Sequence, residues 1–353
     1  MSPFVSLPKA LLLAALVMGF GASPTLRAQS AVELSGKGGY AEKKLLKAPK
    51  RAYIAQFDVF FQTLAFGAAT SRARSIGNTR LGKTKTEMLI ALDGVETQDL
   101  QAATDEVYER FVAELRAQGY DLMDAAEAQA KSDLLSDWTL LEGGTLSTAQ
   151  LEGYARVTPT GYRYLVPKVK KGGREKRTFI DKDPKISGQL DDAVVISVSF
   201  VFPFAEIGAA NTFLPGKSKV KAETSFRLAY AVSSFSQETN LLGENKSGGS
   251  AETRVNFTSG KGAGALAKAH MTNRPKSDVG MPGVVEAERF KSVTYADRVN
   301  LGAYAWYQTL SVNDIEREAT HVIEVDGGAY RAAVTEVMRA YVDASLARFE
   351  AGK

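Results

Sequence analysis

The sequence contains no cysteine and only two histidines among its 353 residues. Without cysteine the chain forms no disulfide bonds, and it has no thiol to carry a lipid at a processed N-terminus. His270 and His321 have no partners at the spacing of a metal-binding pair, so no metal site is predicted. After residue 30 there is no apolar run of about 18 residues, and no transmembrane helix is predicted.

Residues 1–28 have the pattern of a secretory signal peptide. Lys9 supplies positive charge before an apolar run from Ala10 to Phe20, and Ala28 is a suitable cleavage point. The run is too short to span a membrane. We therefore expect cleavage and export to the periplasm. Association with the outer membrane and release into the medium are the alternatives.

Charge gives little indication of the partner. The formal net charge is +4, and residues 1–28 hold Lys9 and Arg27 without an acidic residue, so residues 29–353 carry 4 − 2 = +2. A balance this close to neutral gives no reason to expect nucleic acid. With 325 residues left after cleavage (353 − 28), the chain is long enough for one large domain or two smaller ones.

Hydrophobic periodicity predicts an α/β (α+β) fold, a mixed sheet with helices packed on it. Strands are predicted for Ala52–Leu64, Met88–Val95 and Tyr120–Met123, and helices from Thr97, its expected N-cap, to Gly119 and from Asp124 to Trp138. Further predicted elements are strands 193–204, 221–233 and 320–325 and a helix over 328–349. Strands 193–204 and 221–233 are expected to be antiparallel neighbours.

Composition divides the chain into further segments. Residues 29–47 are predicted to be a flexible arm, and 48–236 an α/β domain. Residues 237–285 are rich in Gly, Ser, Asn and Lys and are predicted to be a long mobile insertion, with His270 solvated within it. Residues 286–353 are expected to complete the domain with a C-terminal helix. His321 is predicted to be a strand residue with a hydrogen bond.

The segment GNTRLGKT matches the P-loop pattern through Gly77, Gly82, Lys83 and Thr84. A working P-loop follows a buried strand and begins a helix. Here ATSRARSI precedes the glycine and a strand pattern, Met88 to Leu92, follows it, in a region 67–86 that we interpret as a loop. The match is therefore interpreted as a coincidence, and no cofactor is predicted.

The strongest local concentration of charge lies at a predicted glycine-turn hairpin, KKGGREK. Its basic residues could contact anionic lipid headgroups, lipopolysaccharide or an acidic partner, or could be a solvated turn. The residues of this predicted contact are Lys168, Lys170, Lys171, Arg174, Lys176 and Arg177.

No catalytic residue is predicted. The acidic clusters Asp181/Asp183 and Asp191/Asp192 flank turns, where solvated charge is expected rather than acid–base chemistry. Ser218 and Lys221 fit the S-x-x-K pattern, but the companion motifs of a penicillin-recognising serine are missing. A catalytic triad assembled from distant residues remains an alternative.

Several elements together resemble a known family. The strand RAYIAQFDVF, the helix VYERFVAELRAQ and the strand GYDLM, with Gly119, Tyr120 and Leu122, are similar to the periplasmic α/β domain of CsgG- and TolB-like proteins, the curli-assembly type of envelope protein. AVVISVSFVF, ETSFRLAYAV and the C-terminal helix suit the same layout. The chain departs from the pattern in lacking the lipoprotein cysteine and in having Asp124 and Ala125 where an Arg is usual.

The resemblance implies a cell-envelope binding or assembly component without catalysis. Its expected partner is another envelope protein or an anionic envelope surface, and a homo-oligomer is an option. The alternatives are a periplasmic hydrolase with dispersed active-site residues, and an outer-membrane-associated protein that uses strands 193–204 and 221–233 as membrane-facing hairpins.

Overall fold

The fold is described from a computed structural model. It describes residues 32–35, 39–71, 74–76, 79–81, 84–176, 182–210, 217–233, 250–264, 266–295, 310–312, 315–317 and 319–352. The predicted signal peptide lies outside these residues. None of the helices they form combines the length and the apolar character needed to cross a membrane.

The described residues form both helices and mixed sheets, and the mixed α/β prediction is confirmed. A 3-10 helix covers Glu42–Lys47. The α-helices are α1 (Thr97–Ala117), α2 (Ala125–Lys131), α3 (Asp183–Gln189) and α4 (Gly327–Ala351). The strands are β1 (Leu34–Ser35), β2 (Arg51–Gln62), β3 (Leu64–Thr70), β4 (Arg74–Ile76), β5 (Thr79–Leu81), β6 (Lys85–Asp93), β7 (Asp121–Met123), β8 (Thr139–Glu142), β9 (Leu146–Leu151), β10 (Tyr154–Val157), β11 (Arg163–Val166), β12 (Lys168–Val169), β13 (Glu175–Lys176), β14 (Val194–Phe202), β15 (Ala205–Ala210), β16 (Lys217–Thr224), β17 (Arg227–Leu228), β18 (Ala231–Ser233), β19 (Ser250–Glu252), β20 (Arg254–Lys261), β21 (Ala267–Pro275), β22 (Val279–Gly280), β23 (Arg289–Tyr295), β24 (Leu310–Val312), β25 (Ile315–Arg317) and β26 (His321–Glu324).

A mixed central sheet forms the middle of the molecule, with strand order β1-β21-β20-β14-β2-β10-β9 and β7 beside the start of β2. The two longest apolar strands, β2 and β14, run parallel at its centre. Every residue of β14 is buried, which explains its nearly continuous apolar sequence. Between Ala55 and Gln56 the pairing with β14 shifts by one residue, and this bulge turns both side chains to the same face.

Helices α1 and α4 pack together on one face of this sheet. Phe57 of β2 contacts the Phe111 ring of α1, and Phe200 of β14 meets Tyr341 of α4 edge to face. The cap of α1 differs from the prediction, because Glu96 and Asp99 form a reciprocal capping box and Thr97 is already helical. Gly119 ends the helix at φ +83°, as predicted.

The opposite face of the sheet is covered by α2, α3 and β11. Tyr53 and Val195 of the sheet are buried there with Leu135, Leu165 and Ile186. Helix α2 is shorter than predicted and ends at Lys131. Its amide at Glu127 bonds to the Asp124 side chain, which caps the helix.

A second module extends from the end of the central sheet. Strand β2 continues through Thr63 into β3, and β14 continues through Pro203 into β15. Two three-stranded sheets result, β26-β6-β3 and β15-β16-β23. They pack closely at Gly67, where an added Cβ would lie 2.1 Å from Ile207 Cγ2.

The predicted division of the chain at residues 237–285 is wrong for the described part of that segment. β20 and β21 are strands of the central sheet and pair with β14 and with each other. Val255, Phe257 and Met271 enter the core at alternate positions, but intervening Asn and Thr residues hide this periodicity. Residues 237–249 lie outside the described residues.

Two other predictions are corrected, and a third holds only in part. The described part of the arm 29–47 is docked, since β1 pairs with β21 and Arg348 binds Glu42. Region 67–86 is mostly strand, because β3 pairs with β6. Strand 193–204 neighbours 221–233 only at its end, where the amides of Ser225, Arg227 and Ala229 donate to the carbonyls of Phe204, Pro203 and Val201 in antiparallel order. β14 pairs with β2 and β20, while β16 pairs with β15 and β23.

Candidate functional site

The predicted basic hairpin is present as β12 and β13, joined by a turn with Gly172 and Gly173 at positive φ. The Lys170 amide donates to the Arg174 carbonyl at 2.7 Å and closes the turn. Positive φ at two consecutive positions favours glycine, so the GG pair fixes this tip. The exposed cations of the hairpin are Lys168, Lys170, Lys171, Arg174 and Lys176, while Arg177 lies outside the described residues.

A single glutamate in the hairpin turns inward. Because side chains alternate along a strand, Glu175 faces the central sheet when Arg174 and Lys176 face solvent. Nη1 and Nη2 of Arg156 donate to its two carboxylate oxygens, each at 2.6 Å, and the Tyr164 hydroxyl donates to Oε1 at 2.9 Å. The side chains of Arg156 and Glu175 are only 2% and 5% exposed, so the base of the hairpin is held by a buried bidentate ion pair.

Gln150 of β9 fastens the same hairpin at a second point. Its Oε1 accepts from the Glu175 amide at 3.0 Å, and its Nε2 donates to the Gly173 carbonyl at 2.9 Å. The side chain thereby bridges the glycine turn and the inward glutamate. Gln150 and Arg156 together therefore fix the position of the basic tip.

Arg156 also faces Asp58 of β2, with Nη1 3.7 Å from Oδ1. Burial alone lowers the pKa of Arg156, but Asp58 and Glu175 outweigh it, and the net shift is upward. Gln56 Nε2 donates to the other Asp58 oxygen at 2.7 Å. Removing the guanidinium would leave two carboxylates in a buried site without their cation.

A row of polar side chains continues from this network across the central sheet. Gln56, Ser197, Asn256 and Thr272 stand at paired positions on four neighbouring strands. Asn256 is fully buried, and within the described residues neither its amide nitrogen nor its oxygen has a hydrogen-bond partner. A narrow cleft walled by Tyr53, Trp138, Leu165 and Ile186 opens beside Gln56 and Ser197.

Both histidines lie within hydrogen-bond distance of threonine hydroxyls. His270 is half-buried in β21 and not solvated as predicted, with Nδ1 2.8 Å from Thr258 Oγ1 and Nε2 2.8 Å from Thr272 Oγ1. Burial, with Arg274 and Arg254, lowers its pKa to about 4. His321 is a strand residue with Nδ1 2.9 Å from Thr320 Oγ1, which confirms that prediction. Across the described ranges, no group of three His, Asp or Glu side chains could hold a metal ion.

The P-loop match lies only partly in the described residues, because Gly77, Gly82 and Lys83 fall outside them. Thr84 is buried, with its hydroxyl 2.7 Å from that of Ser71. A strand, β6, follows it where a P-loop has a helix. The arrangement is a strand hairpin rather than a phosphate-binding strand, loop and helix.

The acidic clusters do not share one environment. Asp183 is buried at the start of α3 and accepts from Ser197 Oγ at 3.4 Å, which corrects its prediction as solvated. Asp192 pairs with Lys268 at the turn before β14. Asp181 lies outside the described residues. Ser218 is buried against Thr86 Oγ1 at 2.6 Å, and its side chain faces away from that of Lys221.

The sequence predicts the cations of the hairpin but not the buried residues that hold the hairpin in place. Arg156 lies in the short strand YARV and bonds to Glu175, 19 positions away. The signal available was one glutamate at the inward position of an otherwise basic strand. Its partner, Arg156, lies on a different sheet, in β10, which pairs with β2.

Comparisons with known proteins identify no relative of this chain. Scans of protein-family models, curated proteins and solved structures found no match to this chain.

Proposed function

We propose that this protein is a non-enzymatic binding or assembly component of the bacterial cell envelope, and that its basic hairpin contacts an anionic partner. The envelope compartment rests on the signal-peptide pattern of residues 1–28. Binding rests on the hairpin. Five exposed cations stand on one hairpin, whose single glutamate is withdrawn into the protein.

The observation that carries the proposal is the buried pair between Arg156 and Glu175. A solvated turn needs no such anchor, because exposed charges of one sign are stable in water without a fixed position. A binding surface gains from one, since ordering a loop on contact costs conformational entropy. The pair and Gln150 together hold the tip in one place before any partner arrives.

Photo-crosslinking in cells tests the proposal. A photoreactive amino acid replaces Lys171 at the tip, or exposed Glu109 on α1 as the control, in the full chain expressed with its own N-terminus in a Gram-negative host. We expect a discrete adduct from position 171 and none of that size from position 109. Adding K170E and R174E should abolish the adduct, because both changes reverse the tip charge.

Fractionation of the same cells shows which compartment contains the protein. Release by osmotic shock of a protein whose first residue lies near position 29 supports the periplasm. Failure to form an adduct at 171, or an adduct that survives the charge reversal, rules out the hairpin as an anionic contact. A full-length cytosolic protein contradicts the envelope assignment.

A further inference from the structure

A second basic surface lies on the outer face of the sheet β15-β16-β23. Lys217, Lys219 and Lys221 alternate along β16, and Lys291 of β23 stands directly opposite Lys221. The residues between them, Ser218, Val220 and Ala222, are buried against the other sheet of the module. Alternation therefore places all four lysines, here called the lysine row, on one outward face.

Three lysines of the row are not neutralised by the described residues. Within the described part of the chain, Lys219, Lys221 and Lys291 form no ion pair with an acidic residue. Desolvation, followed by the charges of Lys221 and Lys291, lowers the pKa of Lys219. These cations repel one another, and an anion placed over them would relieve that repulsion.

Protection of a sheet edge does not account for the three lysines of β16. Lysine is common on edge strands because it prevents pairing with other chains. β16 is the middle strand of its sheet, paired with β15 on one side and β23 on the other. Like charges directly opposite each other also destabilise a sheet, so Lys221 and Lys291 weaken the pairing of β16 with β23.

Within the described residues, the surface beside Lys221 is open. Ala210 and Gly208 of β15 stand opposite Lys219 and Lys221. A Cβ built on Gly208 would meet no atom within 4 Å. Successive lysines along the strand are about 6.6 Å apart, given a rise of about 3.3 Å per residue. Such a planar array complements many anions in one plane better than a single anion in a pocket.

We propose that the lysine row binds the phosphate headgroups of an anionic membrane surface. Lysine ammonium groups bind phosphate as point charges, without the directional fork of arginine. A membrane presents phosphates in a plane, which matches the flat outer face of β16 and β23. The inference goes beyond the proposed function, since it concerns residues outside the hairpin and names the chemistry of their partner.

Vesicle co-sedimentation tests this inference on the full-length protein. The probes are vesicles of phosphatidylglycerol mixed with phosphatidylcholine, vesicles of phosphatidylcholine alone, and soluble polyglutamate. The variant is K219Q/K221Q. The control is K43Q/K44Q, which removes two exposed lysines from the 3-10 helix and so changes the net charge equally.

We expect salt-sensitive binding to the anionic vesicles alone, with K219Q/K221Q reducing the partition coefficient roughly 30-fold, at about fivefold per lysine. K43Q/K44Q should bind as the wild type does. The proposal is overturned if anionic vesicles are not bound or if both variants lose binding equally. It is also overturned if polyglutamate binds through the row and vesicles do not, because the partner would then be an acidic protein.

Circular dichroism of K219Q/K221Q establishes that the variant is folded. Its lysines are solvent-facing, so the secondary structure should match that of the wild type. Loss of vesicle binding leaves the hairpin proposal untouched, and absence of a cross-link at the hairpin leaves the lysine row untouched.

Discussion

At the scale of single residues, the side chain of His270 departs from its behaviour in water. Both ring nitrogens lie within hydrogen-bond distance of threonine hydroxyls, which suits a neutral imidazole with one donor and one acceptor. Burial opposes the protonated form most strongly, and Arg274 and Arg254 repel it further. The histidine therefore belongs to the sheet's internal polar network.

This state of His270 predicts a pH dependence of stability. Its pKa falls from 6.5 to about 4 on folding, so the unfolded chain binds more protons between these values. The associated stability is complete above pH 6.5 and is lost as the pH falls towards 4. It amounts to at most about 3 kcal/mol.

Urea unfolding of wild type and H270N between pH 7 and pH 4.5 checks this dependence. H270N should be less stable at pH 7 and should lose less of its remaining stability on acidification. Equal slopes for the two proteins would mean that His270 titrates normally.

At the scale of elements, the hairpin β12–β13 depends on a contact far away in sequence. Replacing Arg156 with Met should lower the free energy of unfolding by about 3–5 kcal/mol, because Asp58 and Glu175 would remain buried without their cation. Thermal or chemical unfolding measures this loss.

A matched change at the exposed tip provides the control. K171Q should change stability by less than about 0.5 kcal/mol, because its side chain is solvated. If R156M were as stable as K171Q, the buried pair would not hold the hairpin.

Elements were predictable where the periodicity was strong. Strand β14 and helices α1 and α4 follow from their apolar spacing, and Gly119 marks the end of α1. β20 and β21 were missed because Asn256, Thr258 and Thr272 are buried polar residues, which make a core strand look like a loop. Short strands such as β12 carry too few residues for periodicity to be read.

The candidate site was predictable only in part for the same reason. A cluster of cations is visible in one segment of sequence. The pair of Arg156 and Glu175 is visible only once three strands have folded together, and the lysine row only once β16 is known to lie between β15 and β23. Long-range pairing, rather than local composition, determines both.

At the scale of the whole molecule, the chain joins a helix-covered central sheet to a module of two small sheets. Strands β2 and β14 each run from the sheet into the module, so the two parts share continuous backbone. The hairpin with its five cations is fastened to the central sheet, and the lysine row belongs to the module. We infer a scaffold that presents two separate cationic surfaces.

The central claim is that the basic hairpin is held in place before it meets a partner, and hydrogen–deuterium exchange tests it most directly. In the wild type, the amides of Lys170 and Glu175 should exchange at least about 100-fold more slowly than in an unfolded peptide. The reason is that the Lys170 amide donates to the Arg174 carbonyl and the Glu175 amide donates to Gln150 Oε1. In E175Q this protection should fall while that of β14 persists. Unprotected exchange at Lys170 and Glu175 in the wild type would contradict the account.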